Sequence, residues 1–143
     1  LVLAEINLAK VNTTLAQHGD ASDRLKKLLT TDLTKIEQLE ISALHALNSY
    51  FRQDNITAYT EAKRVYETTN LDDKLALIAG TALAFSRHQL ERNEEAIKVF
   101  NQIKPLANQY WLNAYTFFLD LAELVYTEIT PNETELLKWS EAK

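Results

Sequence analysis

The chain contains no cysteine. Disulfides, thiol catalysis and thiolate-bound metals are therefore excluded, although the compartment stays open. Glycine and proline are scarce, with two of each in 143 residues. Strand-rich folds turn often and need more of both, whereas long helices joined by short connections do not. Positive charge is also in deficit: 15 Lys and Arg stand against 20 Asp and Glu, a net charge of −5. Nucleic-acid binding needs a basic face, and the densest basic cluster, Arg24, Lys26 and Lys27, is too small to make one. No nucleic-acid contact is expected of this segment. No apolar run is long enough to cross a bilayer. The longest covers residues 75–85 and is interrupted by Gly80 and Thr81, so no membrane span is expected here either.

What is present is apolar periodicity. Apolar residues make up 46 % of the chain, enough for one domain with a sizeable core. The first residue, Leu1, already lies within a helical pattern. Residues 1–143 read as a single helical-repeat domain excised from a larger protein.

Spacings of three and four residues predict eight helices. The first is expected over about 2–17, with Gly19 as its left-handed cap. The second is expected over about 23–30, with Asp20 or Ser22 capping it. The third starts near Asp32, or at a capping box of Thr34 and Glu37, and its core stripe is Ile36, Leu39, Ala43, Leu47 and Tyr50. Asp54 and Asn55 end it. The fourth covers about 56–68. Asn70, with Asp72 and Asp73 behind it, opens the fifth, which runs to about residue 90 and is apolar nearly all round. The sixth covers about 94–103 and is stopped by Pro105. The seventh is expected over about 107–129. Thr130-Pro131-Asn132-Glu133 opens the eighth, which holds Leu136, Leu137 and Trp139.

These helices alternate long and short. Ala21, Ala58, Ala96 and Thr134 mark the early part of each short helix, spaced by 37 or 38 residues. A period in that range argues for a solenoid, because one hairpin cannot bury its own apolar face but a row of hairpins can. The expected fold is all-α: about four antiparallel helix hairpins in a right-handed stack.

The segment Leu90-Glu91-Arg92-Asn93-Glu94-Glu95-Ala96-Ile97-Lys98-Val99-Phe100 resembles the second-helix motif of tetratricopeptide repeats. In that motif a turn precedes acidic residues, a small Ala and an aromatic, and Ala96 and Phe100 match the last two. Gln53-Asp54-Asn55 with Ala58 is a weaker copy. The family's first-helix Trp and Gly are not cleanly present, polar residues replace its turn Gly, and its late Pro arrives early at Pro105. The resemblance implies a tetratricopeptide-like α-α superhelix. The order of elements over 39–111, through Ala107-Asn108-Gln109-Tyr110-Trp111, is also similar to the helical C-terminal part of the sensor domain in CadC-type, ToxR-family membrane regulators. That likeness implies a periplasmic module below a membrane span, with a cytoplasmic winged-helix DNA-binding domain. Without it, a cytoplasmic location is the expectation.

Residues able to do chemistry are few and scattered. The histidines are His18, His45 and His88, and none has a Glu or His at metal-ligand spacing. His88, with Glu91 and Arg92, reads as a surface cluster, and His45 as a partly buried structural residue. No Gly-rich phosphate loop or Gly-x-Ser-x-Gly elbow occurs. The pairs Glu94-Glu95 and Asp72-Asp73 sit at helix starts, where the helix dipole explains them. Three glycosylation sequons, at Asn12, Asn55 and Asn132, matter only in a host that glycosylates secreted proteins. The aromatics Tyr110, Trp111, Tyr115, Phe117 and Phe118 suit a core between hairpins better than a ligand platform.

The sequence thus points to a non-catalytic, protein- or ligand-binding helical-repeat module. No cofactor, metal site or catalytic residue is expected. Long first helices would line a concave groove, with Asn48, Arg52, Arg87, His88, Tyr110 and Trp111 as its candidate residues. The expected partner is a protein or peptide, and self-association stays open. The alternative is an extracytoplasmic sensor or dimerisation domain of a membrane-anchored transcriptional regulator.

Overall fold

The computed structural model describes residues 2–90 and 93–107. They form six helices: α1 (Val2–Thr14), α2 (His18–Leu28), α3 (Lys35–Phe51), α4 (Asn55–Tyr66), α5 (Asp73–Gln89) and α6 (Asn93–Ala107). No strand occurs among the described residues. Each helix packs on the next, α3 also packs on α5, and α1 touches α3. The result is three antiparallel hairpins in a row. The fourth hairpin expected from the sequence, with its helices seven and eight, lies outside the described residues.

The repeat is visible as register. Ala21, Ala58 and Ala96 each occupy the fourth position of a short helix, and each is fully buried. One and two turns later come Leu25 and Leu28 in α2, Ala62 and Val65 in α4, and Phe100 and Ile103 in α6, all buried. The same inward stripe therefore recurs three times. Two hydrogen bonds repeat it on the surface. The Tyr59 hydroxyl donates to Glu95 Oε1 at 3.4 Å, and the Tyr66 hydroxyl donates to Gln102 Oε1 at 2.6 Å.

The turns inside the first two hairpins are closed alike. Ala16 has φ 60°, and Gln17 N–H reaches back to the Asn12 carbonyl. Gln53 has φ 67°, and Asp54 N–H reaches back to the Ser49 carbonyl. Both are the left-handed closure that normally takes glycine. The expectation for Gly19 is thus corrected: Ala16 carries the left-handed turn, and Gly19 lies in the first turn of α2. Helix two begins at His18, five residues earlier than expected, with no side-chain cap at Gln17. Asp20 lies in its first turn, and Ser22 is buried.

The caps of the next helices fit the expectation better. Thr34 Oγ1 accepts from Glu37 N–H, and Glu37 Oε1 accepts from Thr34 N–H, which completes the capping box. Asp54 caps α4 by accepting from Thr57 N–H. At α5 the cap is Asp72 rather than Asn70, and Asn70 turns the preceding loop at φ 58°. Pro105 does not stop α6, which continues to Ala107. The ring removes the N–H that would meet the Asn101 carbonyl and crowds that carbonyl, but Asn101 is exposed and its carbonyl can tilt toward water.

Burial follows place in the row. α3 is buried at every residue from 41 to 49, where α2, α4 and α5 pack against it, and α5 from 77 to 86, where α3, α4 and α6 do. α1 buries only Ile6, Ala9 and Thr13, one stripe turned toward the stack. Gly80 is needed where α5 approaches α4 and α6. A Cβ there would collide with the Ile103 side chain and sit 3.0 Å from the Tyr66 ring.

Candidate functional site

Of the groove residues expected from the sequence, Asn48, Arg52, Arg87 and His88 lie among the described residues, and these four do not form one exposed surface. Asn48 is fully buried where α1, α2 and α3 meet. Its Nδ2 donates to the Leu44 carbonyl at 2.8 Å and to Thr13 Oγ1 at 2.9 Å. A carbonyl can only accept, so the amide nitrogen must face Leu44 and Oδ1 must face His18 Nδ1 at 2.8 Å. His18 therefore carries its proton on Nδ1. Its ring also stacks on Phe51, with centroids 4.5 Å apart. Asn48 is an internal strut.

Arg52 caps the end of α3 and is exposed. Arg87 is mostly covered. Its Nε lies 2.9 Å from Glu95 Oε2, and its guanidinium sits 4.7 Å from the centre of the Tyr59 ring. Lys63 approaches the same Tyr59 and donates to its hydroxyl at 3.0 Å. That contact, and the charge of Glu95, raise the Lys63 pKa. Arg87 thus ties α5 to α4 and α6. His88 is half-buried one residue further on. Tyr110 and Trp111 lie outside the described residues.

The other histidine is also occupied. His45 Nδ1 lies 2.6 Å from Glu61 Oε1, and a carboxylate accepts, so this nitrogen is the donor. Tyr50 bridges α3 and α5: its ring lies 5.3 Å from that of Phe85, and its hydroxyl bonds to the Gln89 side chain. Burial raises its pKa, partly opposed by that hydrogen bond. No group of three or more His, Asp and Glu able to hold a metal occurs among the described residues.

The better candidate is a cleft of about 450 Å³ at the opposite end of the long helices. The start of α3 forms one wall. The turn from α4 to α5 forms the other. Leu39, Leu71 and Leu75 make an apolar floor, and Ile36 stands beside it at 72 % exposure. Lys35, Glu40, Asp72 and Lys74 supply charge of both signs at the edge. Glu40 is held from below by Lys10 of α1 at 3.3 Å.

This placement corrects the stripe expected for helix three. Ile36 has the spacing of a core residue, yet it lies in the first turn of α3, beyond the edge of the neighbouring hairpin. The left-handed Asn70 then brings Leu71 over to meet it. The signal available in the sequence was the capping box itself. An apolar residue between Thr34 and Glu37 stands at the very tip of its helix, where fewer neighbours can cover it.

A second hollow, between α1 and α2, is lined by Glu5, Asn12, Asp20, Asp23 and Arg24. There Arg24 is already bound to Glu5 at 3.1 Å and to Asn12 at 3.0 Å. Its polar groups serve the hairpin. No protein-family model, curated protein or solved structure matches this chain.

Proposed function

We infer that the chain is a non-catalytic helical-repeat module that holds a short peptide in the cleft between α3 and the α4–α5 turn. The observation that carries this reading is Ile36. It is a large apolar side chain set at 72 % exposure beside a floor of three leucines. Isolated exposed apolar residues are ordinary, but one placed over a concave apolar floor marks a binding surface. Charges of both signs on the rim favour a peptide whose apolar anchor is flanked by acidic and basic residues. A cleft of this volume holds one or two side chains, so the affinity sought is modest.

The array of buried and tied side chains supports the non-catalytic part. His18, His45 and Arg87 each serve a contact between helices and do not converge on a common point.

Peptides selected from a random display library against the folded chain test the reading. The selected peptides should share an apolar anchor, and Ile36→Glu should weaken them at least tenfold with an unchanged far-ultraviolet circular dichroism spectrum. Failure to select any peptide overturns the reading, as does affinity that Ile36→Glu leaves unaltered.

A further inference from the structure

The charged residues lining the cleft at Ile36 are not equally available to a partner. Glu40 is paired with Lys10 of α1 at 3.3 Å. The Asp72 carboxylate accepts from the Lys74 N–H at 2.8 Å as the cap of α5. Both lining carboxylates are therefore engaged inside the chain. Lys35 differs. It is exposed at the first position of α3, and among the described residues no carboxylate pairs with it. Asp32, Glu37 and Asp73, close to these residues in sequence, do not line the cleft. Glu37 is turned back onto the Thr34 N–H at 2.9 Å. It stands two residues on from Lys35, about 200° around the helix.

Helix geometry sets Lys35 over the floor. Residues four apart share a helix face, so Lys35 stands one turn above Leu39, and Ile36 one turn above Glu40. An apolar side chain resting on Leu39, Leu71 and Leu75 therefore brings the residues next to it within reach of the Lys35 ammonium and its flexible stem. Lys74, on the opposite wall, adds a second positive charge at the edge.

Given the peptide-binding reading of the cleft, on which this rests, we propose that Lys35 selects the partner: the peptide carries an acidic residue beside its apolar anchor, and that carboxylate pairs with the Lys35 ammonium. Of the two flanks of such a peptide, the acidic one decides selection. A basic flank meets only carboxylates that already have partners. Lys10 takes part from α1. By holding Glu40 it offsets a negative charge that would repel the acidic flank. Charge on an exposed rim contributes little to affinity and more to the choice between partners.

The tightest peptide from the library selection, resynthesised with Glu, Gln or Lys in turn beside its apolar anchor, is the probe that tests this. The Glu form should bind about three- to fivefold tighter than the Gln form, the size of an exposed ion pair, and the Lys form should bind weakest. Lys35→Gln should remove the discrimination. Lys35→Glu should reverse the order, so that the Lys form binds tightest, a result that loss of fold does not produce. Lys10→Gln should narrow the preference, because Glu40 is then open to a basic flank. A preference that Lys35→Glu leaves unchanged overturns the role of Lys35. So do equal affinities for the three forms, and if Ile36→Glu still weakens all of them the peptide reading itself stands. A library that yields no peptide removes that reading and the role of Lys35 together. Self-association of the chain that Ile36→Glu abolishes gives the cleft to a second copy and overturns both.

Discussion

Asn48 Nδ2 donates to Thr13 Oγ1 at 2.9 Å, a bond between two buried side chains 35 residues apart that joins α3 to α1. Thr13 in turn donates to the Ala9 carbonyl at 2.8 Å, which outcompetes its 3.3 Å approach to Asn48 Oδ1 for the single hydroxyl proton. The first two hairpins thus share a polar contact in which every donor has one acceptor. Asn48→Ala leaves the Leu44 carbonyl, Thr13 and the His18 N–H without this partner, at a cost of about 2–3 kcal/mol. Urea unfolding of the variant measures this. A loss below about 0.5 kcal/mol would mean that water replaces the amide freely.

Gly80→Ala weighs two effects against each other. Alanine gains up to about 1 kcal/mol over glycine within a helix. Forcing a methyl into a closed contact costs about 1–3 kcal/mol. Ile103 is fully buried behind Gly80 and has little room to move, so a net loss of about 1–2 kcal/mol is expected. Adding Ile103→Ala should give a double variant less destabilised than the two single losses combined. Strict additivity in urea unfolding would rule out the contact as the cause.

Ala16→Gly and Gln53→Gly should each stabilise the chain. Both residues hold left-handed backbone, which costs an L-residue about 1–2 kcal/mol and glycine almost nothing. Part of that gain is offset by the freer unfolded chain, so about 0.5–1 kcal/mol is expected from each. Thermal unfolding should show the midpoint rising. A fall at both positions would contradict the turn geometry.

Arg87→Ala should destabilise by about 1–2 kcal/mol, because it removes the ion pair with Glu95 together with the packing over Tyr59. Arg87→Lys should recover only part of this, since an ammonium cannot lie flat on the ring. Full recovery in Arg87→Lys would show that charge alone matters.

Stability should fall at alkaline pH. Burial raises the pKa values of Tyr50 and Tyr66 above the ordinary 10.0, so the folded chain keeps protons that the unfolded chain releases. Their contribution is complete below about pH 10 and is lost as pH rises through the folded values. Unfolding free energies from pH 8 to 11 should decline above 10, and Tyr50→Phe should flatten the slope. An identical slope in Tyr50→Phe would remove Tyr50 from this account.

Much of the architecture was legible in the sequence. The 37- and 38-residue spacing of Ala21, Ala58 and Ala96 located three short helices in a common register, and the Thr34–Glu37 box located the start of α3. These are local signals, set by side-chain size, capping chemistry and the helical period, and they act over a few residues. The candidate site was less legible. Asn48 and Arg87 are polar residues late in long helices, and nothing local distinguishes a groove residue from an internal strut. Ile36 has a core residue's spacing and was placed in the core stripe.

The chain's own chemistry determined that it is helical, that its helices pair long with short, and that its inward stripes repeat. Only the tertiary structure decided which faces remain open. Burial depends on what stands opposite a residue, and for Ile36 and Asn48 the answer comes from segments far away in the chain. The tip of α3 is exposed because the turn from α4 to α5 meets it across a cleft and leaves Ile36 uncovered. Asn48 is enclosed because α1 and α2 close over it.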